Sequence, residues 1–437
     1  MTTDTDVRVD AGQTSFRTTV GLRLLGEYQD SGFAQPRFLA QRADGQVLQL
    51  TRLLYVVLAA VDDCADYEQL AARVGAEYGR ALTAEQVGYL LSDKLAPLGL
   101  VSNTTAQSSA DAPRSELLLG LKANRVLIPA GAVGRIAATL SWLHRPAVVI
   151  AVLAAFVAFD TWLFGIHGAV EALLGVLQEP AWILAALGLS LVAMVFHEFG
   201  HASACRYSGA RPGHIGYGIY IVWPAMYTDV TDVYRIRRSG RLRTDLGGVY
   251  FNLIYLLAMA GCYWLTGQPI FLAVAFLSHL EILQQLVPIV RMDGYFILGD
   301  LAGIPDLFGK VKPILLSMRP GHPPDPRVAG LRRGARVAVT VWVLVVIPLL
   351  AANLAYLLWN LPRIVGVGAH SFVGHLDAAT RAFPALDVLA GLANIVNMIL
   401  LVVPLVGVVY LVARPMLKLA RFATFRLVRA RGRHAVG

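Results

Sequence analysis

Charge is scarce in this chain. Of its 437 residues only 15% are Asp, Glu, Lys or Arg, while 56% are hydrophobic and the mean hydropathy is +0.57. An ordinary soluble domain carries roughly 25% charged residues, so the composition excludes one and points to an integral membrane protein. Cysteine is scarcer still. Cys64, Cys205 and Cys262 are odd in number and widely separated, which excludes a disulfide framework. Cys205 falls one helical turn beyond His201 and reads as a small buried thiol. The first twenty residues lack an apolar core, so no signal peptide is read there.

The charge that is present is unevenly placed. The 38 Lys and Arg outnumber the 29 Asp and Glu, a balance that can indicate nucleic acid, but here the basic residues flank apolar runs. Six such runs lie near Pro146–Phe164, Ala181–His201, Leu246–Leu265, Ile270–Pro288, Val337–Leu358 and Leu386–Leu411. Each is close to the ~20 residues that span a bilayer. Residues 202–245 hold seven Arg, 291–336 hold eight Lys and Arg, and 413–437 hold seven. The alternate loops hold none in 165–180, none in 266–269, and only Arg363 and Arg381 in 359–385. The positive-inside rule then predicts a multi-pass protein of the cell inner membrane with both termini cytoplasmic. Arg235, Arg237, Arg238, Arg241 and Arg243 read as an orientation signal and headgroup anchor.

The predicted organisation is a flexible tail over 1–20, a small α+β winged-helix-like domain over 21–102, and a Ser/Ala/Thr-rich linker over 103–116. A membrane domain over 117–412 and a basic tail over 413–437 follow. In the first domain, Phe38–Gln41 and Gln46–Leu50 flank Asp44-Gly45, a hairpin turn signal. Helices are predicted from Thr51 through Val61, over Tyr67–Tyr78, and over Thr83–Leu95, with Thr at two of the starts as caps. The third offers only Lys94, which argues against DNA and leaves no nucleic-acid partner. Leu117 to Arg145 reads as a juxtamembrane segment.

Chemistry concentrates at the end of the second apolar run, in His197-Glu198-Phe199-Gly200-His201. On a helix, the i and i+4 histidines share a face and can hold Zn²⁺, with Glu198 beside them to handle a proton of water. Zinc needs a third protein ligand. Asp293, at the matching end of the fourth run, is the candidate. Tyr217 to Tyr227, broken by Gly and Pro, reads as a membrane-associated hairpin or re-entrant loop offering an edge to substrate. Thr228 to Asp232 reads as a solvated loop. His279 and Glu281, on an apolar helix, read as packing residues.

The pairing of His197-Glu198-x-x-His201 with Asp293-Gly294 resembles the site-2 protease family of intramembrane zinc metalloproteases, over roughly Leu117 to Asp300. Gly248-Val249-Tyr250-Phe251-Asn252 is similar to that family's Gly-x-x-x-Asn. The resemblance implies a core of transmembrane helices, a Zn²⁺ cofactor held by His197, His201 and Asp293, and Glu198 as the catalytic residue. Asn252, Tyr220 and Pro288 are the expected substrate contacts. Related sequences commonly have Asn before that Pro, where this chain has Val287, so the substrate details differ.

A second resemblance concerns Gln41 to Thr51 with Leu98-Gly99-Leu100-Val101. It is similar to the peptide chaperone of pyrroloquinoline quinone biosynthesis and to the leader-recognition elements of ribosomal peptide natural-product pathways. It implies a precursor peptide as partner, its leader added as a strand beside a helix. The expectation is a zinc metalloendopeptidase that removes a leader. Regulated proteolysis of a membrane protein such as an anti-sigma factor, or a non-proteolytic leader-binding scaffold or exporter component, remain open.

Overall fold

A computed structural model describes residues 16–103, 121–167, 172–174, 176, 180–220, 223–319, 321, 325–407 and 409. The chain is mostly helical, with a small N-terminal sheet region and six helices long and apolar enough to cross a membrane. These run over Pro146–His167, Pro180–Tyr207, Arg238–Thr266, Pro269–Leu286, Arg333–Ala382 and Val388–Gly407. They mark it as a membrane protein. The expected tail before residue 16, linker over 104–116 and basic tail over 413–437 lie outside the described residues.

The chain divides into two compact units. One comprises residues 1–117 together with 232–241 and 299–340. Strands β1 (Phe16–Thr18), β2 (Arg23–Glu27), β3 (Phe38–Gln41), β4 (Val47–Leu50) and β5 (Val101–Asn103) form two sheets, β2-β3-β4 and β1-β5, all antiparallel. Phe16–Thr18 is therefore a strand within the stretch expected as tail. The β3–β4 turn closes at Gly45, whose φ of +83° suits a residue without Cβ. Helices α1 (Arg52–Ala60), α2 (Tyr67–Tyr78) and α3 (Ala84–Tyr89) start at side-chain caps from Thr51, Asp66 and Thr83. Thr83 and Gln86 form a reciprocal capping box. The predicted third helix changes at Leu90 into a π-helical turn through Leu95. Leu50, Val57, Leu70, Val74, Leu91, Leu95 and Leu100 close one core from the sheet and these helices.

The same unit takes in chain far away in sequence. Arg241, fully buried, donates from Nε to Asp300 Oδ1 at 2.9 Å and from Nη1 to the carbonyls of Gln29 and Ile236 at 3.1 and 2.9 Å. Tyr28 donates to the same Asp300 oxygen at 2.8 Å, and its ring lies 4.3 Å below the Arg241 guanidinium carbon. Burial pushes the Tyr28 phenol well above its usual range. Arg241, expected to mark orientation at a headgroup surface, is thus a buried structural cation.

The second unit holds the membrane helices. Phe159, Ala193, Leu256, Leu272 and Ala275 pack a core among the first four candidate spans. The second and third approach so closely that a Cβ on Gly200 would strike the Gly247 carbonyl; small residues permit such backbone contact between helices in lipid. Ahead of these spans, the expected juxtamembrane segment forms β6 (Leu121–Ile128) and helix Ala130–Leu140. β6 pairs with β7 (Ile215–Tyr220), and β7 with β8 (Trp223–Thr228), in an antiparallel sheet ordered β6-β7-β8. The Gly/Pro-broken stretch is thus a hairpin with a partner strand about ninety residues earlier in the chain.

The fifth candidate span departs from expectation. Arg333–Ala382 is one helix of 50 residues, so most of the loop expected over 359–385 is helical. At 1.5 Å per residue it is about 75 Å long, more than twice the ~30 Å of a hydrocarbon core. Val388–Gly407 returns along its second half, where Nδ1 of His375 lies 2.8 Å from Asn394 Oδ1. The apolar run does end near Leu358, at Asn360, Pro362 and Arg363, but the helix continues through them.

Candidate metal centre

His197 and His201 lie one turn apart on Pro180–Tyr207, and Asp293 opens the helix Asp293–Ala302 just after the fourth candidate span. Among the described residues these three form the one cluster of His, Cys, Asp or Glu side chains whose ligand atoms all lie within 4.8 Å of one another. The two Nε2 atoms are 3.1 Å apart. Asp293 Oδ2 is 3.4 Å from His197 Nε2, and Oδ1 is 3.4 Å from His201 Nε2.

These separations allow a test against zinc. Two ligands at 2.0–2.1 Å from a tetrahedral ion stand roughly 3.3 Å apart, which matches the observed set. His201 donates from Nδ1 to the Thr244 carbonyl at 2.8 Å, leaving the Nε2 lone pair aimed at His197 and Asp293. Two imidazole nitrogens and a carboxylate then face one point. Asp293 Oδ2 is buried without a hydrogen-bond partner, a costly state that a cation would relieve. The donor set suits zinc.

The third candidate span supplies the wall. A Cβ on Gly248 would overlap the rings of both His197 and His201, so only glycine lets the helix Gly247–Thr266 pass this close. One turn on from Gly248, Asn252 is buried and donates from Nδ2 to Gln285 Oε1 at 3.0 Å. Tyr220, at the end of β7, accepts the Arg291 backbone N–H through its hydroxyl at 2.9 Å, which ties the hairpin to the chain two residues before Asp293. The Pro288 carbonyl accepts from Trp342 Nε1 at 2.7 Å.

Glu198 is buried beside the histidines. Its carboxylate Oε2 accepts from Thr228 Oγ1 at 2.7 Å, and its main-chain oxygen lies 3.0 Å from the same hydroxyl. The stretch Thr228 to Asp232, expected as a solvated loop, therefore begins with a residue of the site. Thr228, Thr244 and Gln285 are the participants that sequence reading missed. Nothing local marks Thr244 or Gln285, whose roles come from helix packing. His279 is elsewhere: Nε2 lies 2.8 Å from Asp160 Oδ1 and Nδ1 donates to the Ala275 carbonyl at 2.8 Å, a pairing within the span bundle.

No protein-family model matches the chain, and no solved structure matches it. Over 120 residues it is 27% identical to a Bacillus subtilis (strain 168) protein named "Putative peptide zinc metalloprotease protein YydH". The match takes in 27% of this chain and 47% of that protein, so the chain spans about half the length of the curated relative it matches.

Proposed function

We propose that this chain is a membrane-embedded zinc endopeptidase of site-2 protease type, which cuts a ribosomally made precursor peptide between leader and core. The observation behind this reading is the convergence of His197, His201 and Asp293 at zinc-compatible separations, with Glu198 beside them. Similarity to a protein named for peptide zinc metalloprotease activity supports the same reaction class. His197, His201 and Asp293 hold the ion. Zinc, when bound, supplies a Lewis acid that draws the pKa of water towards ~7 and polarises a carbonyl.

The protein's own groups do the rest. Glu198 takes a proton from the attacking water as the water oxygen adds to the scissile carbonyl carbon. The C–N bond then breaks, and Glu198 returns the proton to the amine nitrogen. The substrate enters extended, because a helical backbone hides its carbonyl. The β8 strand offers an edge for it, while Asn252 and Tyr220 flank the path and Pro288 lies at its outer margin. The N-terminal unit captures the leader along the free edge of β4 and raises its concentration near the site into the mM range expected of a short tether. We place the protein in the cell inner membrane with both termini cytoplasmic, on the asymmetry of Lys and Arg between alternate loops.

Full-length protein in nanodiscs, incubated with precursor peptides encoded beside its gene and read by mass spectrometry, tests this reading. Glu198→Gln should retain zinc and lose cleavage by at least about 1000-fold, since it removes the base from the reaction. Processing of precursor by Glu198→Gln at the wild-type rate would refute the endopeptidase. Binding of a fluorescent leader to the same full-length variant tests capture; absence of saturable binding removes that part alone.

A further inference from the structure

The β8 strand ends on the base. Among the described residues, Thr228 is the one side chain that hydrogen-bonds the Glu198 carboxylate, through Oε2 at 2.7 Å. A hydroxyl has a single proton to give, so it restrains one carboxylate oxygen and leaves Oε1 to exchange a proton with water. Glu198 is only 6% exposed, so water does not compete freely for that restraint.

The main chain of the same residue faces outward. Asp229 donates to the His214 carbonyl at 2.9 Å and accepts from the Gly213 amide at 2.7 Å, so the ladder closes a hydrogen-bonded pair at 229, bulged by one residue on the facing strand. In an antiparallel ladder such pairs alternate with pairs whose amides point away from the partner strand. Ile215 opposite Thr228, Tyr217 opposite Met226 and Ile219 opposite Pro224 are then the outward pairs. Pro224, which has no N–H to give the ladder, falls at one of them, as a proline within an edge strand should. Thr228 thus places its side chain on Glu198 and its amide on the edge of β8 away from β7, which no strand among the described residues pairs.

We propose that Thr228 is the positioning residue of the base: its hydroxyl fixes the rotamer of Glu198 at the point where its main chain meets an extended peptide. This rests on the endopeptidase reading. Without the hydroxyl the carboxylate samples other rotamers, and the transfer of the water proton to Glu198, and from Glu198 to the amine, is less often in reach. Substrate pairing uses the backbone of β8 and is untouched by a side-chain change.

Thr228→Val, Thr228→Ser and Glu198→Gln in full-length protein test this. Thr228→Val, isosteric but without the hydroxyl, should lower kcat by about 10- to 100-fold with KM changed less than about twofold, the loss expected of one hydrogen bond to a charged group. Its zinc content and cleavage position should match wild type. Thr228→Ser should return kcat to within about threefold of wild type. Acetohydroxamate, whose acidic proton passes to the base on binding, should bind Thr228→Val about tenfold more weakly by calorimetry and Thr228→Ser normally. A Thr228→Val kcat within about twofold of wild type overturns the proposal. So does loss of zinc from that variant, or a Thr228→Ser as impaired as Thr228→Val. A wild type that cuts no precursor, or a Glu198→Gln that cuts normally, defeats the endopeptidase instead and leaves Thr228 with no base to position.

Discussion

Two His–Asp pairs lie among the candidate spans, and they differ in closure. His279 and Asp160 touch at 2.8 Å, and the second ring nitrogen of His279 is occupied by the Ala275 carbonyl. His197 and His201 stand 3.4 Å from Asp293, beyond a normal hydrogen bond, and one carboxylate oxygen has no donor. The first pair satisfies itself; the second is spaced as three ligands are around an ion of about 2 Å bond length. A polar cluster in a membrane is expensive in either form. What separates structure from binding is whether its members are closed on each other or spaced around a shared point.

The largest expected effect breaks this contrast at its centre. Asp293→Ala should cost zinc affinity more than the ~10- to 100-fold typical of residues that merely orient a ligand. Asp160→Ala should leave zinc content unchanged and lower thermal stability by about 1–2 kcal/mol, the scale of a polar contact between membrane helices. Metal analysis and melting of the two variants in the same detergent check both. Equal zinc loss from both would erase the distinction.

A smaller effect sharpens it. Gly248→Ala should push the ligand rings apart and weaken zinc by roughly 10- to 100-fold, by disturbing ligands without removing one. Gly261→Ala, on the same helix with open space where its Cβ would lie, should bind zinc as wild type does. Chelator competition on the pair reads the difference.

Much of this was legible because some of the physics is local. A five-residue motif fixes two imidazoles on one helix face, and matching depth at the ends of two apolar runs brings Asp293 to the same level. Turn and cap chemistry at Asp44-Gly45, Thr51 and Thr83 marked the N-terminal hairpin and helices. What stayed hidden is set by distant partners. Residues 232–241 and 299–340 join residues 1–117 through the buried Arg241–Asp300 pair and its bonds to Gln29 and Tyr28, although arginines beside apolar runs read as surface anchors. The pairing of β6 with β7 has no signature within either strand. Thr228 and Thr244 act through one hydroxyl and one carbonyl, which no spacing rule announces.

The smallest expected effect concerns a histidine outside the spans. His144 is buried against Phe251 and Tyr250. Ser203 gives its proton to the Gly200 carbonyl, so His144 Nε2, at 2.9 Å, must be the donor to Ser203. Burial, with the nearby Arg243 cation adding to it, pushes the His144 pKa down to about 4 from 6.5. The unfolded chain therefore binds a proton below pH 6.5 that the folded one refuses until about pH 4. The neutral ring contributes its stability fully above pH 6.5, and that contribution drains away as pH falls towards 4. Allowing for partial solvent screening, the difference amounts to about 2 kcal/mol. Melting curves should show wild type losing more stability between pH 7 and pH 5 than His144→Asn, which has no proton to gain. Parallel slopes for the two would mean that His144 takes up its proton at the same pH in the folded and unfolded chain, and that the ring packed on Phe251 and Ser203 is not shielded from water.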